Sequence, residues 1–321
     1  MKNNPDRLHD QFDVVIVGAG PAGLSAALIL GRCRRSVLLC DRGTPRSWAS
    51  KAMHGFISRD GVAPADFAAI ALAELARYRT VTHVPVEVTH ASRRPGGFTV
   101  LAGTQTVDAR KLLIATGLED SLPAVEGCEA LFGISVFQCP YCDGWEFRDR
   151  PLAAYGKRTR GLEMARALTA WSRDIILCTD GASGFTREQR RHLDGNGIRV
   201  IQKPVLRLES EGGRLTHVVF RDGSRVEREA MFFDTPSRGQ SDLTKQLGCT
   251  FTRHGGVVCG KYEATAVPGV YVAGNIIRNV QLSIVAAAEG ANAAFGINRA
   301  LTREDFIRRA TGNRVVEHTA P

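Results

Sequence analysis

Cys139 and Cys142, in the run Cys139-Pro140-Tyr141-Cys142-Asp143-Gly144, are the side chains of this sequence best suited to chemistry. Two thiols separated by two residues can close a small disulfide ring, and the proline between them restricts the backbone. Such a pair has a lowered thiol pKa and opens and recloses reversibly. The competing use of the pair, as half of a zinc site, needs a second pair of cysteines or histidines at ligand spacing. The other six cysteines (Cys33, Cys40, Cys128, Cys178, Cys249 and Cys259) form no second C-x-x-C, and no His-x3-5-His is present, so no metal site is expected. Cys33, Cys40, Cys178, Cys249 and Cys259 lie in or beside apolar segments and are expected to be buried packing residues. Asp143 can carry a proton to or from a departing thiolate, or it is simply the first residue of an Asp-Gly turn. His54, in Ser50 to Phe56, is a candidate base because imidazole titrates near neutrality; a structural role is the alternative.

A dithiol needs a partner for its electrons, and the elements upstream supply a place for one. Phe12 to Val17 is an apolar, β-branched run of the kind that forms a buried parallel strand. It leads into Gly18-Ala19-Gly20-Pro21-Ala22-Gly23 and then a small-residue helix. In this fingerprint Gly18 makes the tight turn, Gly20 lets backbone amides approach a pyrophosphate, and Gly23 lets the helix pack on the strand. The next strand, Ser36 to Cys40, ends at Asp41, 23 residues after Gly18, where a carboxylate can hold a ribose. Strand, glycine turn, helix, strand and terminal acid together specify a dinucleotide site.

Bulk properties bound the rest. At 321 residues two domains are the natural expectation, and 44% hydrophobic with 23% charged residues is ordinary globular composition. The net charge of +9 is scattered rather than blocked, with no aromatic-basic pattern, which argues against nucleic acid. No apolar run is long enough to span a membrane. Met1 to Asp10 lacks an apolar core, so no secretory signal is expected. Eight cysteines are too few for a disulfide scaffold, so a reducing cytoplasm is the expected location.

Three further segments narrow the nucleotide. Lys111 to Ala115 is an apolar strand ending in the turn Thr116-Gly117. Gly269 to Ala273 is another, ending in Gly274-Asn275, and Gln281 and Leu282 open an alanine-rich helix read as running to Ala300. With the first fingerprint and CPYCDG in this order, residues 12–300 resemble the low-molecular-weight thioredoxin reductases. Within them the closer likeness is to the bacterial branch that includes flavin-dependent dithiol oxidases. The resemblance implies an α/β fold of two Rossmann-like, three-layer nucleotide-binding domains. The FAD domain would be discontinuous, over 1–118 and 246–321, and a second domain over 119–245 would carry the cysteines. It also implies FAD as cofactor, held by Gly18, Gly20, Pro21, Ala22, Gly23, Asp41, Thr116, Gly117, Gly274, Asn275, Gln281 and Leu282. Cys142 would exchange electrons with the flavin and Cys139 would meet the substrate, a thioredoxin-like protein or a small dithiol or disulfide. A homodimer is implied as well.

The family has Asp where this chain has Asn275, which carries no charge, so altered electrostatics at the FAD are expected. Two further departures bear on the electron source. The second domain's fingerprint reads Gly156-Lys157-Arg158-Thr159-Arg160-Gly161, with Arg158 in place of the middle glycine. The following strand, Asp174 to Cys178, runs to Asp180, where NADPH-specific relatives place a basic cluster. Ordinary NADPH use is therefore in doubt. Three readings stand: a flavin-dependent thiol-disulfide oxidoreductase, an O2-dependent dithiol oxidase that does not use NADPH, and a non-catalytic redox-sensing flavoprotein.

Overall fold

A computed structural model of the chain describes residues 11–278 and 280–311. It opens with β1 (Gln11–Val17), α1 (Pro21–Arg32) and β2 (Val37–Cys40), followed by α2 (Pro64–Leu75) and β3 (Val81–Val84). A meander of β4 (Val88–Arg94), β5 (Gly97–Ala102) and the long β6 (Gln105–Ile114) completes this part. After β7 (Leu118–Asp120) come α3 (Cys128–Leu131), β8 (Val136–Phe137), α4 (Pro140–Asp143), β9 (Leu152–Tyr155), α5 (Arg158–Leu168) and β10 (Ile175–Cys178). Next are α6 (Arg187–Gly195), β11 (Arg199–Ile201) and a second meander, β12 (Val205–Glu211), β13 (Arg214–Phe220) and β14 (Arg225–Glu227). The chain continues through β15 (Ala230–Phe233), β16 (Ser237–Gly239), α7 (Leu243–Gln246), β17 (Val270–Val272) and α8 (Ser283–Ala310).

These elements form two compact units, one of Met1–Arg46, Ala65–Leu118 and Gly239–Pro321, the other of Ser47–Pro64 and Glu119–Arg238. Two of the crossings between them run side by side, β7 paired with β16. The sequence boundaries put 47–64 in the first domain and 239–245 in the second; the structure groups each with the opposite unit.

In the first unit the sheet order is β3-β2-β1-β6-β5-β4, and β6 also pairs with β17. β1 is parallel to both β2 and β6, in the register Val14 to Val37 and Val14 to Lys111. Side chains alternate across it: Val15, Val17, Leu38 and Leu112 join the core under the β4–β5 ribbon, while Val14, Ile16, Leu39 and Leu113 pack under α1 and α8. Both faces are covered, which is why these strands read as unbroken apolar runs rather than alternating ones. The second unit repeats the plan with an all-parallel sheet, β11-β10-β9-β15-β8, and the antiparallel sheet β12-β13-β14. Leu152, Ala154, Ile175 and Leu177 face α5 and α6; Ala153, Tyr155, Ile176 and Cys178 face the meander. The fold is thus α/β with two Rossmann-like units.

The last helix runs ten residues beyond the expected Ala300, to Ala310. The extension is polar and is held by charge: Arg35 donates to Asn298 Oδ1 (2.7 Å), Thr302 Oγ1 (2.8 Å) and Asp305 Oδ2 (2.6 Å). Arg110 reaches Asp305 and Glu304, and Lys111 pairs with Glu304. A periodicity search for apolar residues passes over such a segment. Among the described residues no helix is long and apolar enough to cross a membrane, and no group of His, Cys, Asp and Glu is placed to hold a metal ion.

Candidate active site

The dithiol lies two residues beyond β8, where the chain turns into α4. Cys139 is the N-cap of this one-turn helix and Pro140 is its first residue, a position that needs no N–H. Cys139 and Cys142 are joined as a disulfide with Cα atoms 5.3 Å apart. The Cys142 amide donates to Cys139 Sγ at 3.1 Å, a bond that favours the thiolate of Cys139 once the pair is reduced. Gly144 ends the turn because a Cβ there would lie 2.5 Å from Pro140 O and 2.8 Å from the Trp171 ring. Trp171 also meets Tyr141 edge-on at 5.4 Å, so one indole holds the turn from two sides. Tyr141 and Trp145 themselves are exposed, 72% and 62%.

Asp143, the last residue of α4, has its carboxyl pushed up to about 7. Burial is the main cause and the neighbouring Glu146 adds to it, while His54 opposes both. His54 is brought there by the 47–64 segment. Met53 and Val62 pair across that loop, Gly61 N donates to Met53 O, and Gly55 N donates to Asp60 Oδ1. The imidazole then sits between two carboxylates, Nδ1 3.5 Å from Asp60 Oδ1 and Nε2 3.6 Å from Glu146 Oε1. Cys139, Cys142, Asp143 and His54 are therefore brought together within the second unit. Glu146 and Asp60 were missed in the sequence; the signal for Glu146 was an acid only three residues after Asp143. Trp48, from the same segment, packs on Phe132 at 5.8 Å.

In the same unit the second glycine loop follows β9. Gly156 and Gly161 pack against each other: a Cβ on Gly161 would lie 2.1 Å from Gly156 O. Between them Arg158 is exposed and carries φ +52, a left-handed backbone that disfavours any residue with a Cβ. Asp180 follows β10 and is fully engaged. It accepts from Tyr155 Oη (3.2 Å) and from Val205 N (3.1 Å), with Lys157 Nζ 3.6 Å away. Sequence reading missed Tyr155 as the partner of this carboxylate.

In the first unit the expected cofactor residues cluster at the carboxyl ends of β1, β2, β6 and β17. Gly18 has φ +105, and its N–H donates to Cys40 O, next to Asp41. A Cβ on Gly18 would strike Ala115 O at 2.5 Å and lie 3.2 Å from Thr116 Cα; one on Gly23 would strike Gly18 O at 1.8 Å. Gly20 differs: a Cβ there meets nothing within 4 Å. Pro21 and Ala22 open α1, whose N-terminus has no side-chain cap. Thr116 Oγ1 is buried without a hydrogen-bond partner, and Gly117 follows at φ +71. Gly274 donates to Glu289 Oε2 at 2.8 Å, and Asn275 begins the 3₁₀ turn after β17. Gln281 accepts from Arg46, and Leu282 is the N-cap of α8. Open space at Gly20, an uncapped helix end and an orphaned buried hydroxyl are features that fit a dinucleotide phosphate and its ribityl or ribose oxygens.

The remaining cysteines correct one expectation. Cys40, Cys128, Cys178 and Cys249 are buried, and burial pushes the thiols of Cys40, Cys128 and Cys178 up to about 12. Cys33 is exposed instead, because it follows the last turn of α1, and Cys259 is only half-buried.

The family described as pyridine nucleotide-disulphide oxidoreductase matches residues 12–290. A protein of Arthroderma benhamiae named "Probable thioredoxin reductase" is 31% identical over 298 residues, spanning 83% of this chain and 74% of its own. The solved structure of HlmI is 34% identical with a TM-score of 0.90, covering 96% of this chain and 98% of its own. An oxidoreductase from Agrobacterium tumefaciens is 30% identical with a TM-score of 0.85, covering 91% and 99%. The chain belongs to the pyridine nucleotide-disulphide oxidoreductases, a family of FAD-binding enzymes, and within it is a thioredoxin reductase-like oxidoreductase.

Proposed function

We propose that this enzyme passes electrons between FAD, the Cys139/Cys142 pair and an external thiol or disulfide. The observation that carries this is the disulfide at the N-terminus of α4 beside a carboxyl pushed up to about 7. Gly18, Gly20, Pro21, Ala22, Gly23, Asp41, Thr116, Gly117, Gly274, Asn275, Gln281 and Leu282 would hold FAD, with the α1 amides on its pyrophosphate and Asp41 on a ribose. Bound FAD would supply the two-electron acceptor or donor for the cysteine pair.

In the reducing direction the Cys139 thiolate, stabilised by the Cys142 N–H, attacks one sulfur of an external disulfide. That S–S bond breaks, and its other sulfur leaves with the electron pair and takes a proton. Cys142 gives its proton to the Asp143 carboxylate and attacks Cys139 Sγ. The Cys139–Cys142 bond forms and the second substrate sulfur is released. The external disulfide gains two electrons and the cysteine pair loses two. Run backwards, the same steps oxidise an external dithiol, and Asp143 returns the proton to Cys142. His54 lies close enough to influence that proton. The external partner is a thioredoxin-like protein or a small dithiol.

The second loop favours the oxidising direction, with a dithiol as electron source and O2 as final acceptor: R(SH)2 + O2 gives the disulfide and H2O2. Arg158 stands where close backbone approach to a pyrophosphate requires glycine, and the Asp180 carboxylate is committed to Tyr155, Val205 and Lys157. An acid there also repels a 2′-phosphate. Charge-assisted hydrogen bonds contribute about 1.5–3 kcal/mol each, so losing two moves a micromolar affinity towards millimolar. Anaerobic stopped-flow with NADPH, NADH and dithiothreitol tests this. Brisk bleaching of the flavin by dithiothreitol, with slow bleaching by either nucleotide, is expected. Full, rapid bleaching by micromolar NADPH would overturn the oxidase direction.

A further inference from the structure

The imidazole of His54 is held between carboxylates that come from two separate parts of the chain. Asp60 belongs to its own loop and is pinned by the Gly55 N–H; Glu146 belongs to the turn that carries the dithiol. Asp143 is the last residue of α4, and Glu146 follows three residues later in the turn that continues from it. The imidazole thus ties the 47–64 loop to the residues just past the dithiol. The Glu146 carboxylate is directed at the His54 imidazole. Its effect is on the charge around Asp143: it opposes the carboxylate of Asp143, while His54 favours it.

We propose that Glu146, acting with His54, is a positioning residue that sets the pH range in which Asp143 can hand a proton to Cys142. The proposal rests on the role given to Asp143 above. The charged groups acting on Asp143 are Glu146, three residues further along the chain, and His54 from the 47–64 segment. His54 is faced in turn by Asp60 and Glu146. The other charged side chains of the two segments point elsewhere: Arg59 donates to Ser58 O, Arg148 to Trp145 O and over the Trp145 ring, and Lys51, Asp149 and Arg150 are exposed.

The sign follows from the charges. With Glu146 present, the Asp143 carboxyl keeps its proton to higher pH, and opening of the disulfide by a dithiol can draw on it there. Removing the Glu146 charge makes Asp143 ionise earlier, so proton supply to Cys142 fails at lower pH. Removing His54 takes away a group that favours the Asp143 carboxylate and moves the fall the other way. The two substitutions therefore displace one profile in opposite directions, which damage to packing would not do.

The experiment opens the Cys139–Cys142 disulfide of the FAD-loaded protein with dithiothreitol between pH 5.5 and 9. Free thiols at Cys139 and Cys142 are trapped by acid quench and alkylation and counted by mass spectrometry, so the readout does not depend on flavin colour. Rates are divided by those of a small linear disulfide at each pH, which removes the ionisation of the donor. The wild-type ratio should fall as pH rises through about 7. Glu146→Gln should move that fall down by about one unit, a loss of about tenfold at pH 8; His54→Gln should move it up. Asp143→Asn should flatten the profile. A sloping profile in Asp143→Asn would overturn the proton role of Asp143 itself. A flat Asp143→Asn profile, with Glu146→Gln superimposable on wild type, would overturn the present proposal alone. Displacement of both the Glu146 and His54 variants in the same direction would overturn it too.

Discussion

Gly20→Ala separates ligand binding from folding at the first glycine loop. Gly20 has φ −71 and ψ −179, a conformation alanine adopts freely, and its added Cβ meets no atom within 4 Å. Two small effects on the apoprotein oppose each other. Alanine is a poorer N-cap than glycine, by about 0.5–1 kcal/mol, but it lowers the entropy of the unfolded chain by about 0.4–1 kcal/mol. The apoprotein should unfold within about 1 kcal/mol of wild type. The methyl group would fill the space proposed for the phosphates, and losing one charge-assisted bond costs about 1.5–3 kcal/mol, one to two orders of magnitude in FAD affinity. Gly23→Ala is the contrast. Its Cβ would stand 1.8 Å from Gly18 O, so strand and helix must separate, at a cost of about 3 kcal/mol or more. Thermal unfolding of the apoproteins by circular dichroism, with FAD titration by fluorescence quenching, reads both quantities. Wild-type FAD affinity in Gly20→Ala would refute the placement of the cofactor; wild-type apoprotein stability in Gly23→Ala would refute the packing.

Two further outcomes follow from groups held against their preferences. The Asp143 carboxyl is raised from 3.8 to about 7, so the folded protein binds the extra proton more tightly than the unfolded chain. That stability is fully present below the unfolded value near pH 4 and is lost as pH rises through about 7. Asp143→Asn should therefore gain about 2–4 kcal/mol relative to wild type at pH 8, after solvent screening, and nothing at pH 4; equal gains at both pH values would refute the assignment. Arg158→Gly relieves a left-handed residue worth about 1 kcal/mol and reopens backbone approach in the second loop. It should raise the melting temperature slightly and increase the rate of flavin reduction by NADPH; an unchanged nucleotide rate would show that Asp180 alone controls access.

The amino-acid sequence determined those parts of this protein whose physics is local. Steric demands at Gly18 and Gly23, the apolar runs of Phe12–Val17 and Lys111–Ile114, and the C-x-x-C spacing act over a few residues. They could be read as turn, buried strand and dithiol without knowing what lies around them. Tertiary structure decided whatever depends on burial and charge between distant segments. The 47–64 loop carries His54 to Glu146 and Asp143, about ninety positions later in the chain, and burial beside those charges pushes the Asp143 carboxyl up to about 7. Asp180 read as an acid at a strand end where relatives are basic; only the fold shows Tyr155 and Val205 bound to it. Cys33 read as packing by its apolar neighbours, yet it falls just past the last turn of α1 and faces solvent. The polar end of α8 has no apolar period to announce it, and its length is decided by Arg35, Arg110 and Lys111 waiting on other elements. Backbone sterics and hydrophobic period are written along the chain, whereas desolvation and ion pairing depend on which segments meet in space.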